Sequence, residues 1–219
     1  MFHIKICGVR READVEAVAE AGGDAIGLNF FPPSRRYVDP QTAETRALAE
    51  VARRRRLQVI GVVVNRSIDS IVDLSQRLPL DAIQLHGDET TEFVDRLRQG
   101  CSLPIVRAVK LPAGVLDSAA IDAAARPWEE IGCHLLLDVD AGAAHGGSGK
   151  TLNWDAVGTW ARQHPDRPWT LAGGLSPENV GVAIRRSGAR SVDAASGVEL
   201  PKGTKSPERI AAFISAVDH

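Results

Sequence analysis

Trp169-Thr170-Leu171-Ala172-Gly173-Gly174-Leu175-Ser176-Pro177-Glu178 holds, in one short stretch, the pattern that decides the fold. Trp169–Ala172 is too short for a helix and too continuously apolar for a strand with one wet face, so it reads as a strand buried on both sides. Gly173-Gly174 turns the chain. Ser176-Pro177-Glu178 then sets a cap oxygen before a proline at a first helical position, and helical period follows over Asn179–Ser187. The same start recurs at Asp39-Pro40 and Ser206-Pro207-Glu208.

Working outward, short apolar runs predict strands at His3–Ile6, Ala25–Leu28, Gln58–Val64, Ala82–Leu85, Ile105–Val109, His134–Leu137, Trp169–Ala172 and Ser191–Asp193. Segments of helical period follow them at Glu12–Ala21, Pro40–Arg54, Ile68–Leu78, Thr90–Gln99, Leu116–Ala125, Asp155–Gln163, Asn179–Ser187 and Pro207–Val217. Gly22-Gly23, Gly100 and Gly188 close helices or follow them closely. Eight strand–helix units fill all 219 residues with no linker or low-complexity tract. The expected fold is α/β, a single (β/α)8 barrel domain over residues 1–219. An open doubly wound sheet is the rival that periodicity leaves standing.

With 44% hydrophobic and 25% charged residues, the chain can bury one large core, which excludes wholesale disorder. A net charge of −2 gives no basic field, so no nucleic-acid partner is expected. The run Arg53–Arg56 reads as the solvated, dipole-compensating end of a helix. No apolar run approaches the roughly 18 residues of a membrane span. Cys7, Cys101 and Cys133 are odd in number and never form C-x-x-C, so neither a disulfide framework nor a zinc knuckle is expected. Met1-Phe2-His3-Ile4-Lys5 runs into the first strand without the regions of a secretion signal, and the expected address is cytoplasmic.

Parallel α/β folds place chemistry at the carboxyl ends of their strands. The residues found there include Cys7, Arg35-Arg36, His86, Asp138, Gly173-Gly174 and Ser196-Gly197. Gly173-Gly174 and Ser196-Gly197 follow the seventh and eighth strands, where glycine amides can hold phosphate; tight βα turns are the alternative. Cys7 is either a small buried hydrophobe or a working thiol. Asp138 ends the run Leu135-Leu136-Leu137, where a carboxyl of raised pKa would suit a general acid, or would order a loop. Arg36 can fork a carboxylate. His86 and Asp88 lack the further ligands a metal site needs, so no metal is expected. Gly146-Gly147-Ser148-Gly149-Lys150-Thr151 fails the Walker A spacing, because Ala144 stands where glycine is required. It reads better as a mobile loop able to cover a ligand.

Together, Lys5-Ile6-Cys7-Gly8, Gly27-Leu28-Asn29-Phe30, Ser34-Arg35-Arg36-Tyr37-Val38, Gln84-Leu85-His86-Gly87, Leu135-Leu136-Leu137-Asp138, Ala172-Gly173-Gly174-Leu175-Ser176-Pro177-Glu178-Asn179-Val180 and Ser196-Gly197-Val198-Glu199 resemble the phosphoribosylanthranilate isomerase family of tryptophan synthesis. The resemblance implies a (β/α)8 barrel that performs an Amadori rearrangement on phosphoribosylanthranilate without cofactor or metal. It implies Cys7 as base and Asp138 as acid, with Arg36 on the anthranilate carboxylate. Gly173, Gly174, Ser196 and Gly197 would lie about the phosphate, and His86 would also bind substrate. The partner implied is this small molecule, with no membrane and a monomer or homodimer as the assembly. The sequence departs from the family at Ala195, where serine is common, and at Asn153, where aspartate is frequent.

Two other readings compete. The sister isomerase of histidine synthesis, or a dual-substrate enzyme, would carry aspartate at Cys7 and show half-barrel repetition. A non-catalytic sugar-phosphate-binding barrel would lack Cys7 or Asp138, and both are present.

Overall fold

Strands buried on both faces need helices outside them and a shared axis within, and the chain supplies both. The computed structural model describes residues 1–114, 117–140 and 150–217. Eight parallel strands follow one another around a closed barrel: β1 (Ile4–Cys7), β2 (Ala25–Asn29), β3 (Gln58–Val63), β4 (Ala82–Leu85), β5 (Ile105–Leu111), β6 (His134–Val139), β7 (Trp169–Leu171) and β8 (Val192–Ala194). Lys5 pairs in register with Asp193, which closes β1 onto β8 and excludes the open sheet. Every strand lies within two residues of its expected bounds.

The helices are α1 (Glu12–Glu20), α2 (Ala43–Arg54), α3 (Ile68–Arg77), α4 (Thr91–Leu97), α5 (Ser118–Glu130), α6 (Trp154–Gln163), α7 (Val180–Ser187) and α8 (Pro207–Val217). Of the three expected proline starts, one holds as read: Ser206 Oγ accepts the Arg209 amide ahead of Pro207. At α2 the cap is Thr42, whose Oγ1 accepts from the Thr45 amide, whereas Asp39 Oδ1 takes the Gln41 amide in a turn before it. At α7 the helix begins after Asn179. Its side chain receives the Ser176 amide at 2.8 Å and donates to the Gly174 carbonyl at 3.0 Å, fastening the loop instead. At α2 a short polar side chain nearer the helix wins the competition for an orphan amide, whereas at α7 no side chain caps the first turn.

Helix α5 runs through Pro127 rather than ending at Ala125. Proline costs a helical hydrogen bond, but Trp128 packs its ring 4.2 Å from the Arg107 guanidinium and holds the last turn against the barrel. The residue before α6, Asn153, caps it through Oδ1, which accepts the Ala156 amide at 3.3 Å. The glycine loop expected to cover a ligand falls largely in 141–149, outside the described residues.

Side chains alternate across each strand. One set packs outward onto the helices, as Ile4, Ile6, Leu135, Leu137 and Val192 do. A smaller inner cluster contains Phe2, Ala25, Ile60, Ala82, Val106, Ala108, Leu136 and Ala172. Four of these eight are alanine. Their small volume leaves the barrel axis open for longer inward side chains, and this is what shapes the site.

Candidate active site

Strand alternation puts Cys7 and Lys5 on the inner face of β1, Asp138 on that of β6 and Asp193 on that of β8. Above them the strand ends surround a cavity of about 460 Å3, within the usual size for small-molecule sites. Seven of the eight residues singled out from sequence line it: Cys7, Arg36, His86, Asp138, Gly173, Gly174 and Ser196. The eighth, Gly197, lies against the loop after β7, where a methyl group would run into the Leu175 carbonyl. A larger hollow of about 1070 Å3 opens at the opposite rim, beside Cys101, Pro104 and Cys133. That rim is where strands begin, and it brings together none of the expected residues.

Asp138 is held by its own strand end. The Val139 amide donates to Oδ1 at 2.8 Å, so Oδ1 is the acceptor oxygen and an acid proton belongs on Oδ2. Oδ2 faces His86 Nε2 at 3.5 Å, and Gln84 Nε2 lies 3.0 Å from His86 Nδ1. Gly173 adopts φ +83, and a methyl group there would come within 3.0 Å of Asp138 Oδ1. Glycine is therefore needed to let the Asp138 carboxyl sit against the next loop. Burial first, and then the negative charge of Asp193, push the Asp138 carboxyl up to about 7, against the opposing Val139 amide, Lys5 and Lys110. A carboxylic acid still protonated near neutral pH is the form a general acid requires.

The thiol of Cys7 sits across the same cavity, seated over Gly27, where a methyl group would approach Sγ to 2.8 Å. Burial pushes the thiol above its ordinary range. Lys5, Lys205 and Arg36 pull it down and Asp193 pushes it up. These cations were not legible as helpers from the sequence. The available signal was a lysine inside a four-residue strand with every side chain buried, since Lys5 is completely enclosed.

Arg36 lines the cavity, as expected, and is also tied to the protein itself. Its fork already embraces a protein carboxylate, with Nε 2.6 Å from Glu199 Oε1 and Nη2 3.0 Å from Oε2. Glu199 is also met by Lys205 at 3.1 Å and the Gly203 amide at 2.8 Å. Burial alone would raise Glu199, but the Arg36 fork and Lys205 bring it down to about 2. A guanidinium carries five N–H donors. Glu199 occupies the edge formed by Nε and Nη2, and Nη1 lies at the other end of the guanidinium. The side chain lies over Gly8, which allows the close approach by lacking Cβ.

On the wall formed after β7 and β8, the amides of Gly174, Ser196 and Gly197 have no acceptor among the described residues. Donors converging from two adjacent loops suit an anion. No group of three or more His, Cys, Asp or Glu able to hold a metal occurs among the described residues. No helix among them is long and apolar enough to cross a membrane.

The model of the family described as N-(5'phosphoribosyl)anthranilate (PRA) isomerase matches residues 4–216. The chain belongs to this isomerase family. The N-(5'-phosphoribosyl)anthranilate isomerase of Cereibacter sphaeroides is 38% identical, with 97% of each chain covered. The crystal structure of phosphoribosyl anthranilate isomerase from Thermotoga maritima superposes with a TM-score of 0.84 at 30% identity, covering 100% of this chain and 99% of that one. A second isomerase structure, solved with reduced 1-(o-carboxyphenylamino)-1-deoxyribulose 5-phosphate, gives 0.80 at 29% identity, with the same coverage. The isomerase family and the barrel implied by the sequence motifs therefore hold over nearly the whole chain.

Proposed function

We propose that this isomerase converts N-(5-phospho-β-D-ribosyl)anthranilate into 1-(2-carboxyphenylamino)-1-deoxy-D-ribulose 5-phosphate in tryptophan biosynthesis, with Asp138 as general acid and Cys7 as general base. One observation carries the assignment of roles. A carboxyl poised near 7 and a thiol surrounded by cations line a single cavity at the carboxyl rim of the barrel.

The reaction uses both groups in turn. Asp138 gives its Oδ2 proton to the furanose ring oxygen as the C1–O bond breaks, leaving an iminium ion. The positive nitrogen makes the C2 proton acidic. Cys7 thiolate removes that proton, and the C–H electron pair becomes the C1=C2 bond of an enolamine. The enolamine gains a proton at C1 and loses the C2 hydroxyl proton, giving the ketose. The substrate's nitrogen thus serves as the electron sink. The thiolate is the minor form of Cys7, and Lys5, Lys205 and Arg36 keep it within reach.

The two ends of the substrate have separate anchors. The open amides of Gly174, Ser196 and Gly197 receive phosphate, and the free end of Arg36 receives the anthranilate carboxylate. The testing experiment is addition of purified protein to freshly made phosphoribosylanthranilate while its anthranilate-type fluorescence is followed. Decay proportional to enzyme is expected. Decay no faster than the spontaneous loss of substrate would overturn the assignment.

A further inference from the structure

Arg209 stands in the first turn of α8, where the positive end of the helix dipole disfavours a cation, so the helix itself gives no reason for an arginine there. Its contacts lie across the neighbouring loops. Nε donates to the Gly197 carbonyl at 2.9 Å, and Nη2 donates to Glu178 Oε2 at 3.0 Å. One guanidinium thus spans the loops after β7 and β8 from behind, and it does not line the cavity.

Both anchor points lead to amides assigned to the phosphate. Gly197 turns its amide to the wall while Arg209 holds its carbonyl. Glu178 immediately precedes Asn179, whose side chain donates to the Gly174 carbonyl at 3.0 Å and accepts the Ser176 amide at 2.8 Å. The two loops touch where Gly197 packs on the Leu175 carbonyl, and Arg209 fastens them together on the outer side. An anion held by amides of both loops depends on their spacing, because each donor must stand roughly 2.7–3.2 Å from its acceptor. The pair of Arg209 with Glu178 adds little to stability, since 32% and 62% of the two side chains are exposed.

We propose that Arg209 is a positioning residue for the substrate's phosphate, setting the spacing of the Gly174 and Gly197 amides by fastening their loops to each other. The inference rests on the phosphate wall assigned above. The phosphate takes no part in the bonds that form and break. Its contacts therefore serve ground state and transition state alike, and weakening them falls on KM rather than on kcat.

The test compares ligands with and without a phosphate: inorganic phosphate, the reduced product analogue, and that analogue lacking its phosphate. In Arg209→Met, inhibition by inorganic phosphate and binding of the reduced analogue are expected to weaken about tenfold, the worth of one hydrogen bond to a charged group. KM should rise by a similar factor while kcat stays within about twofold of wild type. The analogue without phosphate should bind as it does to wild type. Arg209→Lys keeps the charge and can keep one of the two contacts, so it should recover part of the phosphate affinity. Glu178→Gln loosens one anchor only and should weaken phosphate binding less than Arg209→Met. Unchanged phosphate inhibition in Arg209→Met overturns the positioning role. Equal weakening of the two analogues overturns it too, by making Arg209 a support of the fold alone. If wild type binds the reduced analogue no better than the form without phosphate, the phosphate wall itself is misassigned, and this inference falls with it.

Discussion

Asp138 turns Oδ2, not Oδ1, toward His86: the Val139 amide claims Oδ1 at 2.8 Å, and His86 Nε2 stands 3.5 Å from Oδ2. That separation is too long for a strong hydrogen bond, so the acid does not depend on the ring for its proton. His86→Ala is expected to keep kcat/KM within about tenfold of wild type, well short of the loss from removing a positioned acid. Steady-state assays of His86→Ala beside Asp138→Asn check this. Equal losses in the two would make His86 part of the acid.

The pH profile follows from the two titrations. The proposed roles need Asp138 protonated and Cys7 ionised, yet the carboxyl lies near 7 and the thiol is held above its ordinary range. The working form is therefore a minority form, and kcat/KM should be bell-shaped, rising to about pH 7 and falling only above the thiol's titration. In Asp138→Asn the falling limb should vanish and the rising limb should move up to the thiol. A profile unchanged in that variant would assign the acid elsewhere.

Arg36 is expected to separate the two ends of the substrate. Arg36→Met keeps much of the packing over Gly8 but removes the charge, which should cost about tenfold to a hundredfold in kcat/KM. Inhibition by inorganic phosphate, which calls on the loop amides, should hardly change. A parallel collapse of phosphate inhibition would place Arg36 in the phosphate site or in the fold.

Glu199 makes acid stability measurable. Its carboxyl falls from 4.5 in the unfolded chain to about 2 in the folded one, so its stabilisation is complete above pH 4.5 and is lost as pH falls toward 2. The linkage is worth roughly 3 kcal/mol at most, on the 1.36 kcal/mol per pKa unit scale. Urea unfolding of wild type at pH 6 and pH 3 should show this loss. Glu199→Gln should be less stable at pH 6 and lose less between the two conditions. Equal pH dependence in both proteins would remove Glu199 from the account of acid stability.

The barrel was legible because strands buried on both faces leave continuous apolar runs, and these survive even at Trp169–Leu171, only three residues long. The candidate site was legible where the fold itself assigns position: Cys7 and Asp138 stand near strand ends, and barrels put strand ends at one rim. Local signals failed where two groups competed, as Thr42 displaced Asp39 at the cap of α2. Pairings across the chain left no local trace. Arg36 and Glu199 are 163 residues apart, and nothing near either announces the other. Lys5 and Asp193 left only a hint, one charge in each of two otherwise apolar strands, and its meaning appears once closure brings β1 beside β8.

The division of labour between Cys7 and Asp138 is tested most directly by steady-state turnover of phosphoribosylanthranilate by Cys7→Ala and by Asp138→Asn beside wild type. Each substitution removes the reactive group while leaving a side chain that fits the same space. Each is expected to lower kcat by about 10²–10⁴-fold, with a smaller change in KM. Near wild-type kcat in either variant would contradict the role assigned to that residue.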